Sequence, residues 1–145
     1  MPNLDTAGAS LHYARTGQGP PVLIIQGVGA IGNAWRPQIE ALSDRYTLVS
    51  FDNRGIGGST IRDGQFTIEA MAADALAIMD TQGVDRFHVA GHSMGGIIAQ
   101  ALALAAPARV KSLAFLCTFA RGKDGSAITL PILTTALRMR IGTRA

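Results

Sequence analysis

The sequence predicts an α/β protein whose mostly parallel sheet is covered by helices on both faces. Three observations predict it: four short apolar runs of strand length, helix-like segments between them, and a serine between two glycines at a strand-to-helix junction. In chain order, the apolar runs are VLIIQG, YTLVSF, FHVAG and VKSLAFLC. Runs this short are typical of strands that are covered on both faces.

The remaining elements follow from local signals. SLHYART alternates and predicts an early strand, and NAWRPQIEALSDR predicts a helix with Asn33 as its N-cap. Thr67 is expected to cap a second helix that runs to about Thr81 and stops at Gly83. GGIIAQALALAA is apolar nearly all round, which predicts a helix that is covered on all sides and ended by Pro107.

Composition narrows the class of protein. The 145 residues, 48% hydrophobic and 16% charged, indicate one folded domain with a sizeable core. The net charge of +3 comes without a basic run or basic-aromatic patch, so nucleic acid is not an expected partner. No segment resembles a secretion signal or a membrane span, so we expect a cytoplasmic protein. The lone Cys117 excludes an internal disulfide and a cysteine-based metal site, and its apolar run predicts a buried thiol.

The motif GHSMG places Ser93 at the sharpest junction of the chain. A strand-to-helix turn at this point holds the serine in a strained conformation, which presents its hydroxyl above the sheet. Gly91 and Gly95 are expected because a Cβ at either position would strike the neighbouring strand or helix. The amide of Met94, at the helix start, would then face the oxygen that becomes negative during acyl transfer. The alternative is a tight turn with an ordinary serine.

A second amide donor is expected from the loop after the strand VLIIQ. The segment QGVGAIG is glycine-rich, and the amide of Val28 is the candidate. A plain strand-to-helix turn is the alternative for this segment.

Three segments in register resemble the α/β-hydrolase superfamily: PPVLIIQGVGAIGNAW, YTLVSFDNRGIGGS and VDRFHVAGHSMGGIIAQALALAAP. The resemblance is to esterases and enol-lactonases of the 3-oxoadipate enol-lactonase type, and it covers residues 10–117. It implies Ser93 as nucleophile, Met94 and Val28 as oxyanion donors, and no metal or organic cofactor. Gln26 departs from the family, which commonly has histidine before the glycine. Asp52 would act structurally in its loop, holding Arg54 and the adjacent turn.

The expected base and acid of a catalytic triad are missing after the serine. His12, His88 and His92 all precede Ser93, and Asp124 is the only carboxylate side chain that follows it. In the family the acid and the histidine come after the nucleophile. The resemblance therefore implies a hydrolase core that lacks its last strands, with residues 1–120 as the N-terminal part.

Residues 121–145 would then be the start of a cap or a C-terminal tail, which includes the basic segment 130–144. VKSLAFLC would be a bare apolar edge, which favours self-association or a second chain that supplies the C-terminal half. The expected activity is hydrolysis of a small ester or lactone. The alternatives are carbon–carbon bond hydrolysis or perhydrolysis on the same fold, and a non-catalytic module that associates through this edge.

Overall fold

The structure is a computed structural model, and it describes residues 2–62 and 64–120. The elements in chain order are β1 (Asn3–Asp5), β2 (Ala9–Thr16), β3 (Pro21–Ile25), a 3-10 turn (Gly32–Trp35), α1 (Arg36–Leu42), β4 (Thr47–Phe51), β5 (Thr60–Ile61), α2 (Ile68–Thr81), β6 (Phe87–His92), α3 (Met94–Ala105) and β7 (Val110–Leu116).

One sheet organises the described residues. Its strand order is β1-β2-β4-β3-β6-β7, with β5 paired to β2. Strands β4, β3, β6 and β7 are mutually parallel, while β1, β2 and β5 form an antiparallel margin. The predicted fold class is confirmed. The short strands β1 and β5 were not predicted, because two or three residues carry no readable periodicity.

Helices cover both faces of this sheet. Helix α1 and the 3-10 turn pack over a small cluster centred on Ile24, Trp35 and Leu48. Helices α2 and α3 cover the larger cluster on the other face, which includes Phe51 and Phe87. Because β3 leads into α1 and β6 leads into α3, the loops after these neighbouring strands diverge to opposite faces. In open α/β sheets, that divergence opens a crevice at the carboxyl ends of the strands.

The ends of α2 follow the sequence prediction. The hydroxyl oxygen of Thr67 accepts a hydrogen bond from the amide of Ala70 at 3.1 Å, and Gly83 has a φ of +65° just after the helix. The predicted cap at Asn33 is wrong. Asn33 lies within the 3-10 turn, and the α-helix begins only at Arg36, with Pro37 in its first turn.

Two burial predictions are also wrong, and both concern elements near the β7 edge. Helix α3 packs on the sheet and on α2, but Leu104 on its far side is 84% exposed. Cys117 is exposed because it follows β7, which pairs with only one strand, β6, within the described residues. An apolar run therefore does not guarantee burial at a sheet edge.

Some predictions lie outside the described residues. These concern Asp124, which is the only carboxylate side chain after Ser93, the basic segment 130–144, and the cap or tail assigned to 121–145. Within residues 2–62 and 64–120, no helix is long and apolar enough to cross a membrane.

Candidate active site

Ser93 occupies the turn between β6 and α3 in a strained conformation, with φ 54° and ψ −121°. A non-glycine residue in this region costs about 1–3 kcal/mol and persists only where its surroundings fix it. The surroundings do so through the backbone: the Ser93 amide donates to the Leu116 carbonyl at 2.9 Å. The Ser93 carbonyl accepts from the Gly96 amide at 2.9 Å and from the Thr118 hydroxyl at 2.6 Å. The half-buried Ser93 hydroxyl makes no hydrogen bond within the described part of the chain.

The two flanking glycines are required sterically, as the sequence predicts. A Cβ at Gly91 would lie 2.4 Å from the carbonyl oxygen of Gly95. A Cβ at Gly95 would lie 2.1 Å from the carbonyl oxygen of Ile25 and 2.7 Å from that of Gln26. Helix α3 therefore begins in direct contact with the end of β3. This contact brings the loop after β3 next to the serine.

Both predicted amide donors lie at this junction. Met94 is the first residue of α3, where helical amides have no intrahelical partner. Val28 is 70% exposed. It lies in a turn that is closed by a hydrogen bond from the Ala30 amide to the Gly27 carbonyl oxygen. Gly27 approaches the serine so closely that a Cβ on it would lie 3.1 Å from the Ser93 Cβ. Neither the Val28 nor the Met94 amide has a hydrogen-bond partner among the described residues.

None of the three histidines is hydrogen-bonded to Ser93. His12 Nδ1 pairs with the Asn3 side chain at 2.8 Å, and His88 Nδ1 pairs with the Ser112 hydroxyl at 2.7 Å. His92 is exposed, and its ring lies beside Gly27. The roles of Ser93, Val28 and Met94 stay predictions, since no histidine is hydrogen-bonded to the Ser93 hydroxyl in the described part of the chain.

The pair His88–Ser112 was not anticipated from the sequence. It joins β6 and β7 across the sheet, since the two residues are aligned partners in the parallel register. Ser112 lies within the extended strand β7 and not at a strand-to-helix turn, so the amides of a helix start do not adjoin its hydroxyl. The pair nevertheless provides a useful control for serine reactivity.

Asp52 is structural, as the sequence predicts, but it does not hold Arg54. Its two carboxylate oxygens accept the amides of Gly32 at 2.7 Å and Gly58 at 2.8 Å. The buried Arg54 instead pairs with both oxygens of Asp74 in α2, at 2.7 and 2.9 Å. The sequence contained one signal that could have found this pair: Asp74 lies on the otherwise apolar face of a predicted helix.

A pocket of about 290 Å3 lies on the face of the sheet that α1 covers, and His92, the residue before Ser93, is part of its lining. Among the described residues, its lining consists of two glutamines, one exposed histidine and four small or apolar residues: Gln26, Gln38, His92, Ala30, Ala34, Trp35 and Leu116. An adjoining apolar pocket of about 390 Å3 shares Trp35, Gln38 and Leu116 with it. Within the described residues no cluster of His, Cys, Asp or Glu could hold a metal ion.

The comparisons with known proteins agree with the fold described above. The sequence model of the alpha/beta hydrolase fold family matches residues 20–141. The chain belongs to this family. A protein of Azorhizobium caulinodans named "Putative carbamate hydrolase RutD" is 44% identical over 125 residues, covering 86% of this chain and 47% of that protein.

Two solved structures illustrate the likeness. One is titled "Structure of a putative epoxide hydrolase from Pseudomonas aeruginosa", with a TM-score of 0.81 and 30% identity over 94% of this chain and 47% of that one. The other is a thermophilic esterase from Thermogutta terrifontis, with a TM-score of 0.75 and 34% identity over 78% of this chain and 42% of that one. The chain thus spans about half the length of the relatives it matches.

Proposed function

We propose that this α/β-hydrolase family member is a serine hydrolase that cleaves a carboxylic ester or lactone through an acyl-enzyme on Ser93. The observation that carries the proposal is the strained backbone of Ser93, φ 54°, at the junction of β6 and α3. Within the described residues, the Ser93 hydroxyl and the amides of Met94 and Val28 make no hydrogen bonds, and the three residues belong to the same junction. The thermophilic esterase among the similar structures supports ester hydrolysis as one reaction of this fold.

In the proposed reaction, the Ser93 oxygen attacks the carbonyl carbon while a histidine base takes its proton. The Met94 and Val28 amides donate to the oxyanion, each contributing about 3–4 kcal/mol of transition-state stabilisation. The C–O bond to the leaving alcohol then breaks, and the alcohol departs with the proton from the imidazolium. Water attacks the acyl-enzyme with the help of the same base, and the acid is released.

In this proposal the histidine base comes from outside these 145 residues, either in the same polypeptide or in a second chain. Loss of the histidine of a serine triad lowers turnover about a million-fold, so the isolated chain should be slow. A carbamate, like an ester, presents a carbonyl bonded to a heteroatom leaving group. Substrate profiling should therefore compare esters, lactones and carbamates, and should include carbon–carbon substrates and peracid formation as the competing chemistries of the fold.

Labelling by a fluorophosphonate tests the proposal directly. We expect the probe to modify Ser93, and we expect added imidazole, which replaces the missing base, to accelerate the modification at least tenfold. The label should disappear in Ser93→Ala. Peptide mass spectrometry locates the modified serine, and the initial labelling rate measures the acceleration.

The control variant is Ser112→Ala, because Ser112 has a histidine within hydrogen-bond distance and Ser93 does not. This variant should label as fast as the unchanged protein. Modification of Ser112 in place of Ser93, or no modification of Ser93 even with imidazole, would contradict the assignment.

We also propose that the chain associates through β7, either with itself or with a second polypeptide. Within the described residues β7 pairs only with β6, and its apolar side chains are exposed: Leu113 by 36%, Phe115 by 50% and Leu116 by 40%. An unpaired strand that also presents apolar side chains favours pairing with another chain. A non-catalytic binding module would use the same edge.

Replacing Phe115 by lysine should weaken this association, because a charged side chain on an unpaired edge strand opposes pairing with another strand. We expect Phe115→Lys to shift the mass measured by light scattering from an oligomer toward a monomer without loss of the circular dichroism signal. Leu104→Lys, on the exposed side of α3, should leave the mass unchanged. A monomeric unchanged protein at high concentration would exclude self-association.

A further inference from the structure

The segment at the end of β7, residues 116–118, is hydrogen-bonded to the backbone of Ser93 on both sides. The Ser93 amide donates to the Leu116 carbonyl oxygen at 2.9 Å, and the Thr118 hydroxyl donates to the Ser93 carbonyl oxygen at 2.6 Å. Between these two contacts, Cys117 has a φ of 49°, in the left-handed region that residues other than glycine rarely adopt. One short segment therefore holds both peptide groups that flank the serine.

The first turn of α3 leaves room for the Thr118 side chain. A Cβ at Gly96 would lie 2.4 Å from Thr118 Oγ1 and 2.5 Å from Thr118 Cβ, so only glycine admits the threonine at this distance. One turn further along α3, Gln100 Nε2 donates to the Phe119 carbonyl oxygen at 2.8 Å. These contacts fix the half-buried Thr118 against the start of the helix, and its hydroxyl reaches the Ser93 carbonyl from there.

The Ser93 carbonyl and the Met94 amide belong to the same peptide group. A trans peptide group is planar and its C=O and N–H point in opposite directions, so holding the oxygen fixes the direction of the N–H. A hydrogen bond to the oxygen also polarises the group, which makes its N–H a stronger donor. Thr118 therefore acts on the Met94 amide from the opposite end of the peptide group.

We propose that Thr118 is a positioning residue that aims and strengthens the Met94 amide as oxyanion donor. The role rests on the proposed function, because the amide serves this purpose only if Ser93 is the nucleophile. A donor stabilises the transition state only when it points at the place where negative charge develops, so a loosened peptide group loses part of that stabilisation. A purely structural threonine would anchor the end of β7 and leave the Ser93–Met94 peptide group unaffected.

Two substitutions of Thr118 in the full chain separate the effect of its hydroxyl from that of its shape. Thr118→Val removes the hydroxyl and keeps the branched side chain, whereas Thr118→Ser keeps the hydroxyl. The matched control is Thr47→Val, because the Thr47 hydroxyl donates to the Gly19 carbonyl oxygen at 3.0 Å. Thr47 begins β4, at the opposite end of the parallel strands from Ser93. Urea denaturation gives the folded fraction of each variant.

A nuclear magnetic resonance signal reports on this peptide group alone, because Ser93–Met94 is the only Ser–Met pair in the sequence. Isotopic labelling of serine carbonyl carbons and methionine amide nitrogens therefore gives a single carbonyl–amide correlation. We expect Thr118→Val to move the Ser93 carbonyl carbon and the Met94 amide proton upfield, because the group loses polarisation. Thr118→Ser and Thr47→Val should leave the signal near its original position. An unmoved signal in Thr118→Val, or an equal shift in Thr118→Ser, would overturn the proposal.

The imidazole-dependent labelling rate measures the consequence for reactivity. We expect Thr118→Val to label about tenfold more slowly per folded molecule, because complete removal of an oxyanion donor costs about 10²–10³-fold in turnover. Thr118→Ser and Thr47→Val should label at close to the rate of the unchanged protein. Equal rates for valine and serine at position 118 would overturn the positioning role. Because the resonance signal requires no reaction at Ser93, a failure of the unchanged protein to label would contradict the proposed function alone, whereas an unmoved signal would contradict the role of Thr118 alone.

Discussion

Asp74→Ala is expected to lower the free energy of unfolding by about 3–5 kcal/mol, because it removes one member of a buried, doubly hydrogen-bonded ion pair with Arg54. Both side chains of this ion pair are only 4% exposed, and the pair has two hydrogen bonds in a fork geometry. Arg54 also donates to the Gln65 carbonyl at 2.9 Å, which holds the arginine in place when the carboxylate is gone. Urea denaturation followed by circular dichroism measures the loss.

Asp80→Ala is the matched control for this prediction. Asp80 belongs to the same helix and pairs with Arg109 at 2.7 Å, but its side chain is 59% exposed. An exposed pair contributes at most about 1 kcal/mol. Similar losses for the two variants would mean that the buried pair contributes no more than a surface pair.

A double variant separates the net contribution of the ion pair from the penalty of breaking it. Replacing Arg54 by Met and Asp74 by Leu removes both charges and leaves apolar side chains of similar volume. We expect this double variant to be more stable than Asp74→Ala, because both members of the buried ion pair are replaced by apolar side chains.

Much of the fold was predictable because local patterns determine it. The strands β3, β4, β6 and β7 correspond to short apolar runs, and α2 begins after its capping threonine and ends near a glycine. These signals act within a few residues of the elements they define. The exposure of Cys117 was not predictable in this way, because it depends on the position of β7 in the strand order.

The candidate site also has features that local sequence predicts and features that it does not. Ser93 and its glycines were identified from five adjacent letters, because the turn requires those residue types. The Arg54–Asp74 pair joins residues 20 apart. The pocket beside Gln26 and Trp35 is assembled from four separate segments of chain. A single sequence does not reveal contacts between residues from separate segments. An exception is a polar residue that interrupts an apolar helix face, as Asp74 does.

Gly95→Ala is expected to reduce stability and serine reactivity together. The new Cβ would lie 2.1 Å from the Ile25 carbonyl oxygen, a backbone atom that can move only if β3 or α3 shifts. Overpacking against backbone should destabilise the protein by about 3 kcal/mol, which exceeds the gain of about 1 kcal/mol in helix propensity. The same shift separates the loop carrying Val28 from Ser93. Denaturation and the imidazole-dependent labelling rate measure the two effects.

Gly83→Ala distinguishes a general loss of stability from a local change at the site. Gly83 has a φ of +65° and open space around it, so alanine there should cost only about 1–2 kcal/mol of backbone strain. Its labelling rate per folded molecule should equal that of the unchanged protein, whereas Gly95→Ala should be at least tenfold slower. Equal rates for both variants would mean that the contact between β3 and α3 does not position the amide donors. The reactivity of Ser93 would then depend on its own turn alone.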